Sequence, residues 1–239
     1  FIFDMRALWP EELITAGRLK RGSLLHRAIV RIERACLRDA ATVVSLTHAA
    51  VDHLKIEYPE ELEGQKIEVI PTCADLERFT PSPTIMPGPI LHGCIGTILS
   101  GWFRTDWLAA WFSTVMVYDT DARLEIVTRD DVERVREVLD PAGDLAERLR
   151  IFSLPSEAMP DAVRRQNLSV MFYAGGEVSE LGRSPTRMAE VLGCGLPVIV
   201  NEGIGDVADI VRDNDVGVIV DGIGKDQMET AFKTLITIL

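Results

Sequence analysis

The sequence predicts an α/β protein with two parallel β-sheets in two domains. Short apolar runs of strand length alternate with helical patterns along most of the chain, as in consecutive βαβ units. A proline-rich segment, residues 80–89, interrupts this alternation, because no helix or strand ladder continues through four prolines in ten residues. We therefore predict one domain at residues 1–82 and a second at residues 83–239.

The first domain is predicted to be half of a parallel α/β domain, because its apolar runs and helical patterns alternate. The predicted strands lie at residues 1–3, 42–46 and 67–70. The predicted helices lie at residues 11–20, 24–38 and 48–57.

The second domain is predicted to hold a doubly wound parallel sheet. Five helical segments separate its apolar runs, and a parallel strand needs such a crossover to reach its neighbour. Ligands of these sheets bind beyond the carboxyl ends of the strands, so the loops that follow the strands are the candidate site. The six predicted strands are residues 90–95, 123–127, 149–152, 168–173, 197–200 and 216–220.

The overall charge argues against a nucleic-acid partner. The chain has 37 acidic and 25 basic residues, and its net charge of −12 is the opposite of what a protein that binds a polyanion carries. Residues 18–38 depart from this balance, with seven basic residues against Glu33 alone on an amphipathic helical pattern. Two interpretations stay open: a solvated helix face, or contact with anionic lipid or a phosphorylated molecule.

The cysteines and histidines do not predict a metal site. The four cysteines, at positions 36, 73, 94 and 194, and the four histidines lack the close pairs that zinc sites use. We expect the cysteines to be reduced, small residues of the core.

Residues 173–200 hold the most informative pattern, a glycine-containing loop between an apolar run and a helix. Ser184 fits the N-cap of this helix, Pro185 its first position and Gly195 its end. The N–H groups and positive dipole of a helix start favour a phosphate. Arg187 in the first turn opposes that dipole, so its presence indicates a bound anion beside it.

Glu190 lies one turn further along the same helix. A carboxylate there can accept two hydrogen bonds from a ribose diol, as an acidic residue does in dinucleotide-binding sheets. A surface pair with Arg187 is the alternative interpretation, and it would contribute roughly a few tenths of a kcal/mol.

Two stretches resemble the GT-B glycosyltransferases of the family 4 type. The family's donor-binding region looks like R-S-P-T-R-M-A-E-V-L-G-C-G-L-P-V-I-V-N-E-G-I-G-D-V, in which a glutamate before G-x-P-V, here Glu190, holds the nucleotide ribose. The end of the family's N-terminal domain is similar to V-V-S-L-T-H-A-A-V followed by I-E-V-I-P-T-C-A-D-L-E-R-F-T-P. Together the two matches span roughly residues 41–220.

The resemblance implies a metal-independent glycosyltransferase of GT-B architecture, with two Rossmann-like domains. Residues 1–82 would be the C-terminal half of an acceptor domain that is only partly present, and residues 83–239 would bind a nucleoside-diphosphate sugar. The sugar would pass, with retention of configuration, to a glycan or lipid-linked acceptor, and no further cofactor is implied. We expect a cytoplasmic protein, in peripheral contact with the anionic inner face of the membrane through residues 18–38.

The strand ends and the resemblance together select the candidate site residues. Asp4 and Arg6 follow the first predicted strand and either bind the acceptor or donor phosphate or form a structural pair. With Arg104, they are the residues expected to take part in catalysis. The arginines near the donor would neutralise the departing diphosphate. Donor binding is expected from Gly96, Thr97, Arg129, Ser153, Leu154, Arg183, Ser184, Pro185, Thr186, Arg187 and Glu190.

Two departures from the family's pattern favour an alternative function. Family members usually carry a glutamate eight residues before the one that holds the ribose, and Gly182 stands there. The loop after the first strand of the second domain offers only Arg104 where the family has a basic pair; Trp102 and Phe103 of this loop either join the core or stack on a base or sugar. A non-catalytic homologue that binds a nucleotide or a protein partner is therefore the alternative.

Overall fold

The computed structural model describes residues 1–82, 88–145 and 147–239. Residues 83–87, the centre of the predicted proline-rich linker, lie outside the described residues. The predicted domain boundary between residues 82 and 83 stays a prediction. The chain divides into two compact units, the first formed by Phe1–Thr72, Gly175–Ser184 and Gly203–Val207 and the second by Cys73–Ala174, Pro185–Glu202 and Ala208–Leu239.

The first unit contains a three-stranded parallel sheet with the order β1-β2-β3. Its strands are β1 (Ile2–Met5), β2 (Thr42–Ser45) and β3 (Ile67–Val69), so all three predicted strands are confirmed. Its helices are α1 (Trp9–Thr15), α2 (Leu24–Asp39), α3 (His48–Glu57) and α4 (Pro59–Leu62).

Side-chain caps and a glycine turn set the ends of three helices in the first unit. The hydroxyl of Ser23 accepts a hydrogen bond from the backbone N–H of His26 and caps α2, and Thr47 caps α3 in the same way. Helix α1 ends at Thr15, five residues before the predicted end, because Gly17 adopts a φ of +68° and turns the chain. The core of this unit consists of Met5, Leu8, Leu37, Ala40, Val43, Ala50, Leu54 and Leu62.

Two segments from the C-terminal half of the sequence belong to the first unit. The carboxylate of Asp206 accepts hydrogen bonds from the backbone N–H groups of His48 and Ala49, at 2.7 and 2.9 Å. The hydroxyl of Thr47 donates to the carbonyl of Leu181. These bonds attach residues 203–207 and 175–184 to the start of α3.

The second unit contains a six-stranded parallel sheet, as the sequence predicts, and its strand order is β6-β5-β4-β7-β8-β9. The apolar runs of its four central strands are buried on both faces, which is typical of a parallel sheet between layers of helices. The strands are β4 (Leu91–Ile95), β5 (Arg123–Val127), β6 (Leu149–Phe152), β7 (Leu168–Met171), β8 (Val198–Asn201) and β9 (Gly217–Val220). The connecting and final helices are α5 (Thr105–Tyr118), α6 (Val132–Leu139), α7 (Met159–Arg164), α8 (Thr186–Gly193), α9 (Val207–Asn214) and α10 (Lys225–Ile238).

The prediction that all four cysteines belong to the core was wrong for two of them. Cys94 and Cys194 are buried, but Cys36 is half-buried and Cys73 is exposed. Cys73 lies beyond the end of β3, in a stretch without regular structure, and therefore has no core position to fill.

The described residues contain neither a candidate metal cluster nor a helix that could span a membrane. Over residues 1–82, 88–145 and 147–239, no group of three or more His, Cys, Asp or Glu side chains is placed to hold a metal ion. Over the same residues, no helix has both the length and the apolar character needed to cross a bilayer.

Candidate functional site

The order of the six strands places a crevice beside β4. From β4 the chain continues to β5 and β6 on one side of the sheet and later to β7, β8 and β9 on the other. Ligands of open α/β sheets bind at such a point of reversal, beyond the carboxyl ends of the strands. The loops that start there follow β4 at Gly96 and β7 at Phe172.

Helix α8 starts beside this crevice without a side-chain cap. The residue before its first turn is Pro185, and no side chain accepts a hydrogen bond from its first N–H groups. The predicted N-cap Ser184 was wrong: it lies in the first unit, where its hydroxyl accepts a hydrogen bond from the backbone N–H of Thr72 at 3.1 Å. The first turn of α8 therefore keeps N–H groups that an anion can use. The predicted end of the helix is confirmed, since Gly195 follows it with a φ of +74°.

The guanidinium group of Arg187, in the first turn of α8, lies against the backbone of Gly96. A Cβ atom at position 96 would collide with the Cζ and Nη2 atoms of Arg187, so a larger residue there would displace the guanidinium group. Gly96 also has a φ of +98°, which glycine adopts without strain. The loop after β4 and the start of α8 are thus brought into direct contact.

Arg187 makes no ion pair with an acidic residue that the structure describes. Its Nη1 atom is buried and has no hydrogen-bond partner among the residues that the structure describes. Arg187 also acts on the nearby Cys94 thiol. Burial raises the pKa of this thiol to about 12, and the charge of Arg187 lowers the pKa by a smaller amount, so the thiol stays neutral. A buried polar group left without a hydrogen-bond partner costs roughly 1 to 3 kcal/mol, and a bound anion would remove that cost.

Tyr173 holds the other side of Arg187. The Cζ atom of Arg187 lies 5.8 Å from the centre of the Tyr173 ring. The side-chain amide of Asn201 donates to the carbonyl of Tyr173 and accepts from its N–H group, both at 2.9 Å. Phe103 packs edge-on against the same ring, with centroids 5.7 Å apart. The orientation of Arg187 is therefore set by the ends of β7 and β8.

Glu190 is half-buried, one turn beyond Arg187. Burial raises the pKa of its carboxyl group, and Arg187 and then Arg78 counteract part of that effect. Arg187 and Glu190 form no ion pair within 4.0 Å in the described part of the chain. The surface pair that the sequence left open is therefore not made, and both groups remain available to a ligand.

The other predicted residues of the second unit are spread over three loops. Arg104 pairs with Asp106 through two hydrogen bonds, at 2.8 and 2.6 Å, and packs over the Trp107 ring. Arg129, after β5, is exposed and makes no ion pair with another described residue. Three further candidates follow β4 and β6: Thr97 and Ser153 are exposed, and Leu154 is half-buried.

Besides Ser184, three predicted residues lie in the first unit. Asp4 and Arg6, at the end of β1, are exposed and line an apolar cavity of about 330 Å³. Neither makes an ion pair with a described residue, so the structural Asp–Arg pair is not formed. Arg183 instead pairs with the buried carboxylate of Glu180, at 2.8 Å.

Comparison with solved structures finds glycosyltransferases at low sequence identity. WaaG, a glycosyltransferase involved in lipopolysaccharide biosynthesis, superposes with a TM-score of 0.69 and 15% identity over 99% of this chain and 65% of its own. Anabaena HepE, solved in complex with UDP and glucose, superposes with a TM-score of 0.65 and 14% identity. The match covers 98% of this chain and 61% of HepE. Sucrose-phosphate synthase from Thermosynechococcus elongatus superposes with a TM-score of 0.62 and 16% identity. The match covers 99% of this chain and 58% of the synthase.

The fold is that of the GT-B glycosyltransferases. This chain spans 58 to 65% of the length of the three structures described above. No protein-family model and no curated protein sequence matches the chain. The fold predicted from the sequence is thus confirmed, and the choice of the family 4 type stays a prediction.

Two residues that position the loops of this crevice were not singled out from the sequence. Asp130, after β5, accepts hydrogen bonds from the backbone N–H groups of Ile98 and Leu99, at 2.7 and 3.0 Å, and so fixes the loop after β4. Asn201 fixes Tyr173 as described above. Each is a polar residue at the end of a buried parallel strand, and that placement was the available signal.

The interpretation that Phe103 stacks on a base or sugar does not match the structure. Its side chain is only 6% exposed and packs on Tyr173, so it belongs to the core and does not present a stacking face. Trp102 is half-buried, and its carbonyl accepts a hydrogen bond from the N–H of Ala174 at 3.0 Å. Aromatic stacking on a ligand from this loop would therefore involve Trp102.

Proposed function

We propose that the protein is a glycosyltransferase that moves a sugar from a nucleoside diphosphate to a glycan or lipid-linked acceptor. The observation that carries the proposal is the guanidinium group of Arg187 at an uncapped helix start beside Gly96, where its buried Nη1 atom has no hydrogen-bond partner among the described residues. A diphosphate supplies the anion that this arrangement lacks, because it can bind the N–H groups and the cation together.

The nucleoside would extend from the diphosphate towards Glu190. This carboxylate is half-buried, has no ion-pair partner within the described residues, and lies one turn along α8 from Arg187. A carboxylate in this environment can accept a hydrogen bond from each of the two ribose hydroxyl groups, and burial strengthens those bonds. HepE, of the same fold, was solved with UDP, which carries such a ribose diphosphate.

Charge stabilisation is the chemistry that these residues would supply. The bond between sugar and phosphate breaks with negative charge accumulating on the leaving diphosphate, and a positioned guanidinium and helix N–H groups stabilise that charge. Arg187 fits this role with its own charge unbalanced, and Arg129 and Arg104 are further candidates in the second unit. Transfer without a metal ion and with retention of configuration is part of the same proposal.

The first unit would bind the acceptor. Asp4 and Arg6 have unbalanced charges at the rim of an apolar cavity, which suits an acceptor with both apolar and hydroxyl groups. In the proposal, one of their charged groups contacts the reacting hydroxyl group. A cytoplasmic location with contact between residues 18–38 and an anionic membrane would bring a lipid-linked acceptor to this unit.

One observation favours the non-catalytic alternative. Gly182 is buried, and a Cβ atom there would stand 3.1 Å from the backbone nitrogen of Leu8. A glutamate at this position would therefore need the chain around Leu8 to shift. The donor-sugar contact that the family makes from here is absent, and a protein that binds a nucleotide without transferring the sugar would tolerate that loss.

Calorimetric titration of UDP, GDP and ADP into the 239-residue chain tests the donor site. We expect one nucleotide to bind, and Glu190→Ala to weaken its binding by about 1 to 3 kcal/mol, the usual effect of leaving hydrogen-bonding groups unpaired. Glu137→Ala, which removes an exposed carboxylate from α6, is the matched control and should change nothing. Absence of binding by all three nucleotides contradicts the proposal.

Sugar release separates the two candidate functions. A glycosyltransferase hydrolyses or transfers its donor slowly even without the natural acceptor, so incubation with the sugar donors of the bound nucleotide should release free sugar. Glu190→Ala should abolish that release. Tight nucleotide binding with no sugar release from any donor would favour the non-catalytic homologue.

A further inference from the structure

Residues 73–82 lie against the end of α8 in the second unit, without forming a helix or a strand. A Cβ atom at Gly193, the last residue of α8, would stand 2.9 Å from the Cδ2 atom of Leu76 and 3.0 Å from the carbonyl oxygen of Phe79. The side chain of Phe79 is buried. The absence of a side chain at position 193 therefore allows this segment to pack directly on the helix that carries Glu190.

Arg78 joins this segment to two other parts of the second unit. Its Nη2 atom donates a hydrogen bond to the carbonyl of Ser156, 2.8 Å away, in the connection that follows β6. The backbone carbonyl of Arg78 accepts a hydrogen bond from the Nη1 atom of Arg164, at 3.0 Å, where α7 ends. The Cζ atom of Arg78 lies 5.8 Å from the centre of the Phe79 ring. The orientation of Arg78 is thus set through both its backbone and its side chain.

The charge of Arg78 also acts on Glu190. Burial raises the pKa of the Glu190 carboxyl group, and the charges of Arg187 and then Arg78 lower it in part. Among the described residues, no ion pair within 4.0 Å joins Arg78 to Glu190, so the carboxylate oxygens are left for a ligand. Two cations therefore act on one half-buried carboxylate, Arg187 from the same helix and Arg78 from a separate segment.

We propose that Arg78 is a positioning residue for the nucleoside end of the donor site, an inference that rests on the function proposed above. Its guanidinium group holds the connection after β6 in place relative to Glu190. The candidate donor residues Ser153 and Leu154 belong to this connection and come shortly before Ser156. Ligands of open α/β sheets bind beyond the carboxyl ends of the strands, so a nucleoside whose ribose binds Glu190 would meet this connection on its other side.

The second effect of Arg78 is to keep Glu190 ionised. Only the ionised carboxylate offers both of its oxygens as acceptors to a ribose diol. Loss of Arg78 removes one of the two cations that oppose burial, so the pKa of Glu190 should rise and the carboxylate should be lost at a higher pH. Cys194 is close to Glu190 as well, but burial raises the pKa of its thiol, which is neutral at pH 7 and below, and the charge of Arg164 beside that thiol does not change with pH.

Calorimetric titration of UDP, GDP and ADP into the 239-residue chain tests the proposal, with inorganic pyrophosphate as a probe of the phosphate end alone. Arg78→Gln should weaken binding of the preferred nucleotide about three- to tenfold at about pH 7, the range expected for the loss of one hydrogen bond. The affinity for pyrophosphate should stay the same, because this probe has neither ribose nor base.

The pH dependence distinguishes this role from a purely structural one. The ratio of the nucleotide affinities of the unmodified chain and Arg78→Gln should grow as the pH falls from about 7 to about 5, because Glu190 takes up its proton at a higher pH in the variant. Protonation of the phosphates is the same for both proteins and cancels in this ratio. Arg78→Lys keeps the charge without the planar guanidinium group, so it should restore the original pH dependence and only part of the affinity.

Arg123→Gln, which removes an exposed arginine at the start of β5, is the matched control and should change neither affinity. Equal losses of nucleotide and pyrophosphate binding in Arg78→Gln would overturn the proposal, because a general disturbance of the unit weakens both. Nucleotide binding that is unchanged in Arg78→Gln would overturn it too, while leaving the proposed function intact. A lack of binding of all three nucleotides to the unmodified chain would overturn the proposed function and this inference together.

Discussion

The guanidinium group of Arg187 occupies the space that a side chain at position 96 would fill. Gly96 follows β4 at the point where the strand order reverses, and Arg187 lies in the first turn of α8. This one contact joins the two elements that a Rossmann-like sheet uses to bind phosphates. It also leaves the Nη1 atom of Arg187 buried and without a hydrogen-bond partner among the described residues, which is unfavourable unless an anion binds there.

Replacing Gly96 by Ala should disturb both stability and binding. The new Cβ atom would displace the Arg187 guanidinium, and a φ of +98° is unfavourable for alanine. We expect the free energy of unfolding to fall by about 1 to 2 kcal/mol from the backbone alone, measured by urea denaturation. The affinity for the preferred nucleotide should fall in the same variant.

Gly101→Ala is the control for this change. Position 101 lies in the same loop, but a Cβ atom there meets nothing within 4 Å and its φ is not positive. Stability and affinity should stay within error of the unmodified protein. If Gly96→Ala behaves like Gly101→Ala, the contact with Arg187 has no energetic role.

Asn201 is predicted to be the main anchor of Tyr173. Its amide group makes two hydrogen bonds to the Tyr173 backbone and a third to the carbonyl of Glu202, at 3.0 Å. Asn201→Ala leaves buried backbone groups unpaired, so we expect a loss of roughly 2 to 4 kcal/mol of stability in urea denaturation. Asn214→Ala removes one hydrogen bond at an exposed helix end and should have an effect below about 0.5 kcal/mol. Equal effects in the two variants would contradict the assignment.

Glu33 should make the stability of the protein depend on pH. Burial raises the pKa of its carboxyl group to about 7, and the hydrogen bond from the Tyr58 hydroxyl lowers it in part. Since the folded pKa lies above the unfolded value of 4.5, the folded state binds the proton more strongly, and stability falls as pH rises from about 4.5 to about 7. Glu33→Gln should remove this slope and stabilise the protein at pH 8 by about 1 to 3 kcal/mol. Thermal unfolding of both forms across this pH range checks it, and parallel curves would refute it.

The strands and the fold could be predicted because their signals are local. Every predicted strand is present, since runs such as Val198–Asn201 are apolar over the length of a buried strand. The sequence could not show that Ser184 leaves the start of α8 uncapped, because its hydrogen-bond partner Thr72 lies 112 residues away in sequence. The role of Asp206 at the start of α3 is hidden in the same way, by a separation of 158 residues. Polar contacts between distant segments therefore escape patterns that local spacing reveals.

Arg187→Gln should stabilise the protein while weakening nucleotide binding. The Nη1 atom of Arg187 is buried without a partner among the described residues, and the guanidinium group lies in the first turn of α8, where the helix dipole opposes a cation. Glutamine has no charge, so we expect the free energy of unfolding to rise by about 0.5 to 2 kcal/mol. Binding of the preferred nucleotide should weaken by roughly 2 to 4 kcal/mol, because a charged hydrogen bond to the diphosphate is lost. Urea denaturation and calorimetric titration of the same preparation measure the two changes, and Arg134→Gln, an exposed arginine of α6, should affect neither. A variant that is both less stable and unimpaired in binding would show that Arg187 is a structural residue.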